Sequence, residues 1–495
     1  MVLSDLNILF VASEIEGLAK TGGLADVAKS LPKALQSKGH SVRVVIPCYR
    51  SIAGAFDAPV VLEAAMMTEQ DVYVDYQVRE LETDGVKVWA IDCRPYYDRN
   101  ELYAENNQAY YDNGERFAFL SAAALDLTEK LDFCPNIIHA NDWHTGLVPF
   151  LLKNRHQNNP FFAQTRSVLS VHNAVFKGVF SYAELRIIPE LTRERFANIE
   201  IDPHHVAFLK AGVAYADKIN GVSPNYATEL VTDLGSQGMG WDFAARANDL
   251  VGIVNGCDYG DWNPETDNLI PQKFKANKTS MARGKKACKR ALQREVGLAQ
   301  KDLPMFGMVC RLTEQKGLQY LLPILNHFLV NQVQLVIVGA GDPAIAQQLR
   351  TIASENESSF AFVEAYSNKL AHWVEAGADF FLMPSEFEPC GLNQMYSMVY
   401  GTLPLVRNVG GLKDTVIDYD LNPEFATGFV FEQPEPMALL VAMQRALLLY
   451  AQDPTEFKRV QMNAMTCRFD WEDSAQQYQD LYQSALASHK HGLPA

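Results

Sequence analysis

The sequence has no apolar run that approaches the roughly 20 residues needed to cross a bilayer, no Cys-x-x-Cys pair and no stripe of basic residues. Its eight cysteines are scattered without the spacing of a disulfide framework, which predicts reduced and mostly buried thiols. The formal net charge of −16 argues against a nucleic-acid polymer as partner, although it leaves room for a small anionic ligand. No signal peptide is predicted, because the first apolar run lacks a basic segment before it and a cleavage site after it. These absences predict a soluble cytoplasmic protein that binds neither membrane nor nucleic acid.

The chain of 495 residues is too long for one hydrophobic core, so two large domains are expected. Short apolar runs alternate with amphipathic helical stretches, which is typical of parallel sheets covered by helices and therefore of the α/β class. We expect one domain over 1–250 and another over 251–467, with the strand at 251–256 opening the second and the polar stretch 258–294 forming the crossing. Strands are predicted at 7–13, 41–47, 87–93, 136–141, 167–173, 218–223, 251–256, 305–312, 334–340, 360–366, 379–385, 403–408 and 428–431.

The stretch Lys20-Thr21-Gly22-Gly23-Leu24 follows the first predicted strand and precedes a helical pattern. Glycines let the backbone approach a ligand closely, and the free N–H groups and dipole of a helix N-terminus favour negative charge. Lys20 adds a full positive charge beside this turn. An anion-binding site and an ordinary tight turn with a solvated lysine are both compatible with these five residues.

The second half repeats this pattern at two further strand exits. Arg311 and Lys316 follow the predicted strand at 305–312, at the carboxyl end where open α/β sheets bind ligands. Glu388 follows the strand that ends near Pro384 and precedes another helix. Two cations, helix N-termini and a carboxylate at such exits favour a functional site over surface charges.

His172 and the segment Asp142-Trp143-His144 end two successive strands in the first half. A histidine at a strand end is commonly a hydrogen-bonded structural residue, whereas polar residues at two neighbouring ends indicate a site. Both interpretations stay open for these residues.

Two other functions have some support. The segment Gly339 to Ala344 fits the dinucleotide fingerprint, with Glu364 placed as a ribose-binding acid, which favours a nicotinamide oxidoreductase. That function leaves the Lys20 turn unexplained. The tyrosine-rich stretch 94–116, long enough for a lid or binding loop, favours a noncatalytic glucan-binding protein, which leaves Arg311 and Glu388 without a task.

No metal site is predicted. His139 and His144 lack the spacing of ligands on a helix, and no carboxylate cluster completes a zinc set. Asp418-Tyr419-Asp420 imitates the two-aspartate string of metal-dependent sugar transferases, but it precedes Asn422-Pro423 and is interpreted as a solvated turn.

Many motifs in the same order make the chain resemble the bacterial glycogen synthases and plant starch synthases, the retaining glucosyltransferases of family five. The resemblance covers nearly the whole length, and the matching motifs are KTGGLADV (20–27), HANDWHTGLVP (139–149), SVHN (170–173), LKAGVAYAD (209–217), VSPNYA (222–227), NGCDYGDWNPETD (255–267), CRLTEQKGL (310–318), GAGDP (339–343) and FEPCGLNQMYSMVYGTLPLVRNVGGLKDTV (387–416).

The resemblance implies a glycosyltransferase-B fold, in which two Rossmann-like domains face each other across a cleft. It implies that the first is the acceptor-side domain, that the second binds the nucleotide sugar, and that a last helix within 468–495 returns to the first. The implied activity transfers glucose from ADP-glucose to the non-reducing end of an α-1,4-glucan such as glycogen. No metal or cofactor is expected, because Arg311, Lys316 and helix N-termini are sufficient to meet the charge of the diphosphate. No oligomeric state is predicted.

The resemblance also implies roles for individual residues. Those implied to be catalytic are Glu388, His172, Arg311, Lys316 and Lys20. Those implied to bind the donor are Lys20, Gly22, Gly23, Asn255, Arg311, Lys316, Tyr366, Cys390, Gly391 and Leu392, with Arg311 and Lys316 as a diphosphate clamp and Tyr366 stacked on adenine. Asp142 and Trp143 are implied to lie on the acceptor side. The chain departs from the family at Glu16-Gly17, Glu364-Ala365, Glu386 and Asn393, where Phe-Pro, an apolar–glycine pair, arginine and threonine are usual.

Overall fold

The computed structural model describes residues 5–68, 72–105 and 108–488. The chain forms two compact units, Met1–Gly256 together with Trp471–Ala495, and Cys257–Asp470. We call them the first unit and the second unit.

Within the described residues, the main sheet of the first unit has nine strands in the order β14-β13-β9-β8-β1-β2-β5-β4-β3. Neighbouring strands from β14 to β5 are parallel, whereas β4 and β3 are antiparallel additions at one edge. The strands of this unit are β1 (Asn7–Val11), β2 (Ser41–Pro47), β3 (Val60–Met67), β4 (Tyr73–Thr83), β5 (Val86–Asp92), β6 (Ala104–Glu105), β7 (Gln108–Ala109), β8 (Ile137–Asn141), β9 (Arg166–Val171), β10 (Val179–Ser181), β11 (Glu200–Asp202), β12 (His205–Ala207), β13 (Lys218–Gly221) and β14 (Leu250–Gly252).

The central strands of this sheet are buried along almost their whole length, as expected for a parallel sheet with helices on both faces. Strand register then places three strand ends side by side, since Val11 pairs with Ala140 and Asn141 pairs with Ser170. The helices are α1 (Gly23–Ser37), α2 (Arg50–Ala55), α3 (Arg94–Tyr97), α4 (Asn113–Lys130), α5 (Leu147–Asn154), α6 (Pro189–Arg193), α7 (Phe208–Tyr215), α8 (Pro224–Leu230) and α9 (Gly240–Ala244).

The second unit contains a six-stranded, wholly parallel sheet in the order β17-β16-β15-β18-β19-β20, counted over the described part of the chain. Its strands are β15 (Met305–Val309), β16 (Gln334–Val338), β17 (Phe360–Val363), β18 (Phe380–Met383), β19 (Leu403–Arg407) and β20 (Phe429–Phe431). Its helices are α10 (Lys278–Glu295), α11 (Leu318–Leu329), α12 (Pro343–Glu355), α13 (Asn368–Gly377), α14 (Asn393–Val399), α15 (Gly410–Thr415), α16 (Pro436–Gln452) and α17 (Pro454–Thr466).

The last helix, α18 (Trp471–Ala487), belongs to the first unit. The hydroxyl of Tyr482 lies 2.8 Å from Nδ1 of His139 in β8, and Tyr478 accepts a hydrogen bond of 2.7 Å from Asn220 in β13. Burial lowers the pKa of His139 to about 3, so the ring is neutral at pH 7. His139 is therefore a structural residue that fixes α18.

Every predicted strand is present, but the assignment of 251–256 to the second domain is wrong. This strand is β14, and it pairs with β13 in the first sheet, with Ile219 opposite Leu250. An apolar run does not reveal which sheet it joins, so the division between the units falls after Gly256 and after Asp470. Two further strands, β3 and β4, were not predicted. β3 is apolar in sequence yet mostly exposed at the edge of the sheet, and β4 mixes polar and apolar residues instead of forming a continuous apolar run.

The tyrosine-rich stretch 94–116 contains α3, the short strands β6 and β7, and the beginning of α4, and residues 106–107 lie outside the described residues. The guanidinium of Arg116 is fully buried and donates to the carbonyl oxygens of Tyr96 at 2.7 Å and Leu102 at 3.0 Å. Because a buried cation is costly unless its N–H groups are satisfied, these bonds fasten the described part of the stretch to α4.

Candidate active site

The first site lies where β1 turns into α1. The N-cap residue Gly22 has no side chain that could cap α1, so no N-cap side chain occupies the helix N-terminus, where an anion would bind. The Lys20 ammonium lies 2.5 Å from a carboxylate oxygen of Glu16 and 2.8 Å from one of Asp26. Burial lowers the pKa of Lys20, but Asp26 and Glu16 together hold it above its ordinary value. Lys20 is therefore a fixed positive charge beside the turn.

Glu14 stabilises the turn that contains Lys20 and Thr21. Its carboxylate accepts hydrogen bonds from the backbone N–H of Thr21 at 2.5 Å and from the Thr21 hydroxyl at 2.9 Å. Burial raises the pKa of Glu14 to about 7, although these hydrogen bonds oppose the shift. Glu14 is thus a buried carboxylate whose ionisation is unfavourable and occurs near neutral pH.

We expect Glu14→Gln to become increasingly stabilising relative to the wild type as the pH rises. The wild-type carboxyl has a pKa raised from 4.5 to about 7, so the stability that it contributes is complete below pH 4.5 and is lost as the pH rises through 7. The glutamine has no such loss, and the difference approaches about 3 kcal/mol at most. Urea unfolding at pH 5 and pH 8 measures it, with Glu82→Gln on the exposed side of β4 as control. An advantage of the Glu14→Gln variant that is equal at both pH values would contradict the expectation.

The second cluster lies at the neighbouring ends of β8 and β9. Asp142 has a φ of 55°, a conformation unusual for a non-glycine residue. In this conformation the buried Asp142 carboxylate accepts hydrogen bonds from the backbone N–H groups of His172 at 2.7 Å and Asn173 at 3.2 Å. Burial raises the pKa of Asp142 to about 7, and the nearby Glu14 adds to the shift. The predicted residues Asp142 and His172 are therefore brought together.

The hydrogen bonds of Asn141 define which nitrogen of His172 carries the proton. The Asn141 amide nitrogen donates to the carbonyl oxygen of Val11 at 3.0 Å, so its Oδ1 is the acceptor that faces His172 Nε2 at 3.0 Å. Burial lowers the pKa of His172 to about 3, so the ring is neutral. Nε2 consequently holds the hydrogen, and Nδ1 is an acceptor that makes no hydrogen bond to any described residue.

The Trp143 side chain packs against other aromatic rings. Its ring stacks on His144 with centroids 4.0 Å apart and meets Phe117 edge-on at 5.0 Å. A Cβ on Gly178 would lie 2.3 Å from the Trp143 ring, so only glycine fits there. The acceptor-side role of Trp143 stays a prediction, and its observed contacts support the backbone that carries Asp142.

The site in the second unit joins two of the predicted catalytic residues. Lys316, in the turn between β15 and α11, donates to the Glu388 carboxylate at 2.6 Å, and the Ser385 hydroxyl donates to the same oxygen at 3.1 Å. Both Glu388 and Ser385 are buried. This ion pair links two strand exits that are 72 residues apart in the sequence.

Glycines make this close approach possible. Gly317 has a φ of 75°, and a Cβ there would lie 1.8 Å from the carbonyl oxygen of Pro384. A Cβ on Gly410 would lie 1.9 Å from the carbonyl oxygen of Glu388, which also accepts a hydrogen bond of 3.0 Å from the N–H of Gly411. Side chains at these positions would separate the loops that hold Lys316 and Glu388.

Three predicted donor-binding residues have groups available for a ligand. Arg311 is exposed and makes no ion pair or hydrogen bond within the described part of the chain. The ring of Tyr366 is 83% exposed, which leaves a face free for stacking. The carboxamide oxygen of Asn255, in the first unit, is buried without a hydrogen-bond partner among the described residues, which is costly unless something else fills the site.

The remaining predicted residues of the second unit lie on the turn after Glu388. Cys390 is buried, Gly391 has a φ of 75°, and Leu392 is the N-cap of α14 without a side-chain cap. Burial raises the pKa of the Cys310 thiol, which follows β15, to about 12, although Lys316 opposes this, so that thiol stays neutral.

The dinucleotide fingerprint has a structural explanation. A Cβ on Gly339 would lie 2.2 Å from the carbonyl oxygen of Cys310. The Asp342 carboxylate caps α12 by accepting from the N–H groups of Ala344 at 2.7 Å and Ile345 at 3.1 Å. A carboxylate thus occupies the helix N-terminus where a dinucleotide phosphate would bind, and Glu364 forms an ion pair with Arg350.

The interpretation of the Asp418–Asp420 string as a solvated turn is wrong for Asp418. This residue is buried, forms an ion pair with Arg445 at 3.0 Å and accepts a hydrogen bond of 2.7 Å from the N–H of Val430. Asp420 pairs with the same guanidinium at 2.5 Å. The arginine, distant in the sequence, is the partner that the local pattern could not reveal.

No cluster of three or more potential metal-ligating residues occurs among residues 5–68, 72–105 and 108–488. Within the same ranges, no helix is both long and apolar enough to span a membrane.

Sequence reasoning missed several residues that hold these sites together. Glu14, Asn141 and Ser385 each hydrogen-bond to a predicted residue or to its immediate neighbour, and Gly410 lies against the carbonyl oxygen of Glu388. These residues lie in or near the motifs, but the sequence did not indicate which group each would contact.

Two protein-family models match the chain, the starch synthase catalytic domain over residues 7–245 and the glycosyl transferases group 1 over residues 289–460. The glycogen synthase of Photobacterium profundum is 64% identical over 96% of this chain and 94% of its own length. The glycogen synthase of Vibrio atlanticus is 60% identical over 98% of this chain and all of its own length. The nicotinamide oxidoreductase and the noncatalytic binding protein gain no support.

Among solved structures, the catalytic domain of starch synthase IV from Arabidopsis thaliana, bound to ADP and acarbose, matches with a TM-score of 0.88 and 29% identity over 98% of this chain and all of that chain. A sucrose-phosphate synthase from Thermosynechococcus elongatus shares the fold, with a TM-score of 0.60 at 19% identity over 98% of this chain and all of that chain. The predicted two-domain α/β glycosyltransferase fold is confirmed. The chain therefore belongs to the family of the bacterial glycogen synthases and plant starch synthases, as its motifs predict.

Proposed function

We propose that this protein is a glycogen synthase that transfers glucose from ADP-glucose to the non-reducing end of an α-1,4-glucan, with retention of configuration and without a metal ion. The observation that carries this proposal is the Lys316–Glu388 pair at 2.6 Å, which places a cation and a carboxylate together at the carboxyl edge of a parallel sheet. A nucleotide-sugar transfer needs both, because the leaving diphosphate gains negative charge while the sugar gains positive charge.

The charge on the diphosphate is met by protein groups. Arg311 and Lys316 form the clamp, and the first turn of α1, with Lys20, Gly22 and Gly23, supplies N–H groups and a further cation. The position of Lys20 is fixed before the reaction, since it is held by Glu16 and Asp26. Preorganised charge of this kind is often the largest single catalytic contribution, about 10²–10³ in rate for each donor group.

The transferred glucose is assigned to Glu388 and His172. Glu388 accepts from its hydroxyls and stabilises the oxocarbenium-like state, in a pocket completed by Cys390, Gly391 and Leu392. His172 contributes a neutral ring whose Nδ1 accepts a sugar hydroxyl. This assignment uses the one ring nitrogen of His172 that has no hydrogen bond within the described residues.

The remaining predicted residues bind the nucleotide of the donor and the glucan acceptor. Tyr366 stacks its exposed face on adenine, and the unpaired carboxamide oxygen of Asn255 accepts from the donor. Asp142 lies on the acceptor side, with Trp143 supporting it. Starch synthase IV, a structural relative at 29% identity, was solved with ADP, and this supports an adenine nucleotide over a uridine nucleotide.

In the reaction, the bond between the anomeric carbon and the diphosphate oxygen breaks, and a bond to the acceptor 4-hydroxyl forms on the same face of the sugar. The hydroxyl proton moves to the departing diphosphate, and ADP leaves. Glu388 is paired with Lys316 and assists as an anion. It forms no covalent intermediate.

Purified protein supplied with ADP-glucose is expected to release ADP only when glycogen is added, at the same rate after exhaustive chelation. UDP-glucose in place of ADP-glucose tests the nucleotide, and NADH with 2-oxo acids tests the oxidoreductase alternative. Oxidation of NADH without glycogen-dependent ADP release would contradict the proposed function. Loss of activity on chelation that Mg²⁺ restores would contradict its metal independence.

A further inference from the structure

Lys316 bonds with the carboxylate of Glu388, and a second carboxylate, Glu386, lies two residues earlier on the same loop. Glu388 accepts from Lys316 at 2.6 Å. Glu386 is half-buried, and its carboxylate instead accepts a hydrogen bond from the hydroxyl of Tyr320. Two nearby anions of the same loop are thus given different partners.

The backbone brings Glu386 directly beside the Lys316 turn. The N–H of Glu386 donates to the carbonyl oxygen of Gln315 at 2.8 Å, so Glu386 is joined to the residue that precedes Lys316. Arg407 fixes the same stretch, because its guanidinium donates to the carbonyl oxygens of Ser385 at 2.8 Å and of Glu386. The backbone of Glu386 is therefore fixed by hydrogen bonds, and only its side chain can change partner.

Tyr320, which donates to the Glu386 carboxylate, is well placed to hold that carboxylate. Tyr320 lies in the first turn of α11, its ring is buried, and the hydroxyl is its only polar side-chain group. A hydrogen bond to a charged group is about twice as strong as one between neutral groups, and the buried ring cannot move aside. Tyr320 therefore directs the Glu386 carboxylate toward α11.

We propose that Tyr320 is a positioning residue that holds Glu386 away from Lys316 and so keeps the Lys316 ammonium available to the donor diphosphate. This inference rests on the proposed function, because the diphosphate is the anion that Lys316 would bind. Without the Tyr320 hydroxyl, the Glu386 carboxylate is free to turn toward the Lys316 turn, which its own backbone adjoins through Gln315, and there it competes with the diphosphate for the ammonium.

The test is the affinity for ADP of purified full-length variants, measured by calorimetry together with kcat and KM for ADP-glucose. Tyr320→Phe removes only the hydroxyl and is expected to raise the Kd for ADP about fivefold, a loss of roughly 1 kcal/mol. The double variant Tyr320→Phe/Glu386→Gln removes the competing charge and is expected to restore the wild-type Kd. Glu386→Gln alone keeps an oxygen that accepts from Tyr320 and is expected to lie within about twofold of the wild type.

Tyr76→Phe is the matched control, since the Tyr76 hydroxyl also donates to a carboxylate, that of Asp126 in α4 of the first unit. It is expected to leave the Kd unchanged. A wild-type Kd in Tyr320→Phe, an equal loss in Tyr76→Phe, or a loss that Glu386→Gln does not restore would each overturn the proposal. Wild-type protein that binds no ADP and transfers no glucose would instead refute the proposed function.

Discussion

Arg311→Ala is expected to lower kcat by about 10²–10³-fold while the melting temperature stays that of the wild type. The two readouts separate because Arg311 is exposed and forms no ion pair or hydrogen bond with the described residues, so the fold loses nothing with it. If the guanidinium stabilises charge that develops on the diphosphate, its loss affects the transition state more than the bound donor, and KM rises far less than kcat falls. Steady-state kinetics with ADP-glucose and glycogen, alongside calorimetric melting, measure both quantities.

Arg283→Ala is the control for charge alone, because Arg283 is another exposed arginine of the second unit, in α10. Its kcat and its melting temperature are expected to match the wild type, as for most surface substitutions. An Arg311→Ala enzyme with normal kcat, or one whose defect lies only in KM, would remove Arg311 from the stabilisation of the leaving group.

Glu388→Gln is expected to lower kcat by at least about 10²-fold with a small change in KM for ADP-glucose. The substitution keeps the size of the side chain and its hydrogen-bond acceptor, so the bonds from Lys316 and Ser385 have a replacement. It removes the negative charge that stabilises the positively charged sugar, an interaction that is strongest in the transition state. Glu295→Gln, which alters a surface glutamate paired with Lys369 at 2.8 Å, controls for the loss of an ion pair.

In a parallel experiment, the wild-type protein is incubated with a slowly reacting fluorinated donor and mass spectrometry is used to look for a covalent glucosyl adduct. No glucosyl adduct is expected on Glu388, because Lys316 already engages its carboxylate and the mechanism uses same-face attack. A glucosylated Glu388, or a Glu388→Gln enzyme with nearly normal kcat, would show that the carboxylate has a different role.

The strand pattern and the glycine turns made the fold, and the positions of the candidate site residues at strand ends, predictable. Lys20, Asp142, His172, Lys316 and Glu388 were all predicted from positions at strand exits, and parallel strands present their carboxyl ends at one edge. Local sequence therefore revealed which residues lie at an edge, because that depends on the order of strand, turn and helix.

Partners distant in sequence were not predictable. The run at 251–256 was assigned to the wrong domain because its apolar residues do not specify β13 as its neighbour. The local pattern around Asp418 predicts a solvated turn, because its partner Arg445 is remote in the sequence. The bond of Glu386 to Tyr320 needed the packing of α11 against the loop that follows β18. Each of these contacts is set by tertiary structure, which propensity and spacing do not encode.

The proposed retaining transfer is tested most directly by the anomeric configuration of the first linkage made from ADP-glucose. Purified protein, a short maltooligosaccharide and ADP-glucose are followed by proton NMR during early turnover, with ADP quantified in the same tube. We expect one new α-1,4 linkage at the non-reducing end for each ADP released, sensitive to amylase and formed equally in the presence of a chelator. Formation of a β linkage, or release of ADP and free glucose without extension of the acceptor, would contradict it.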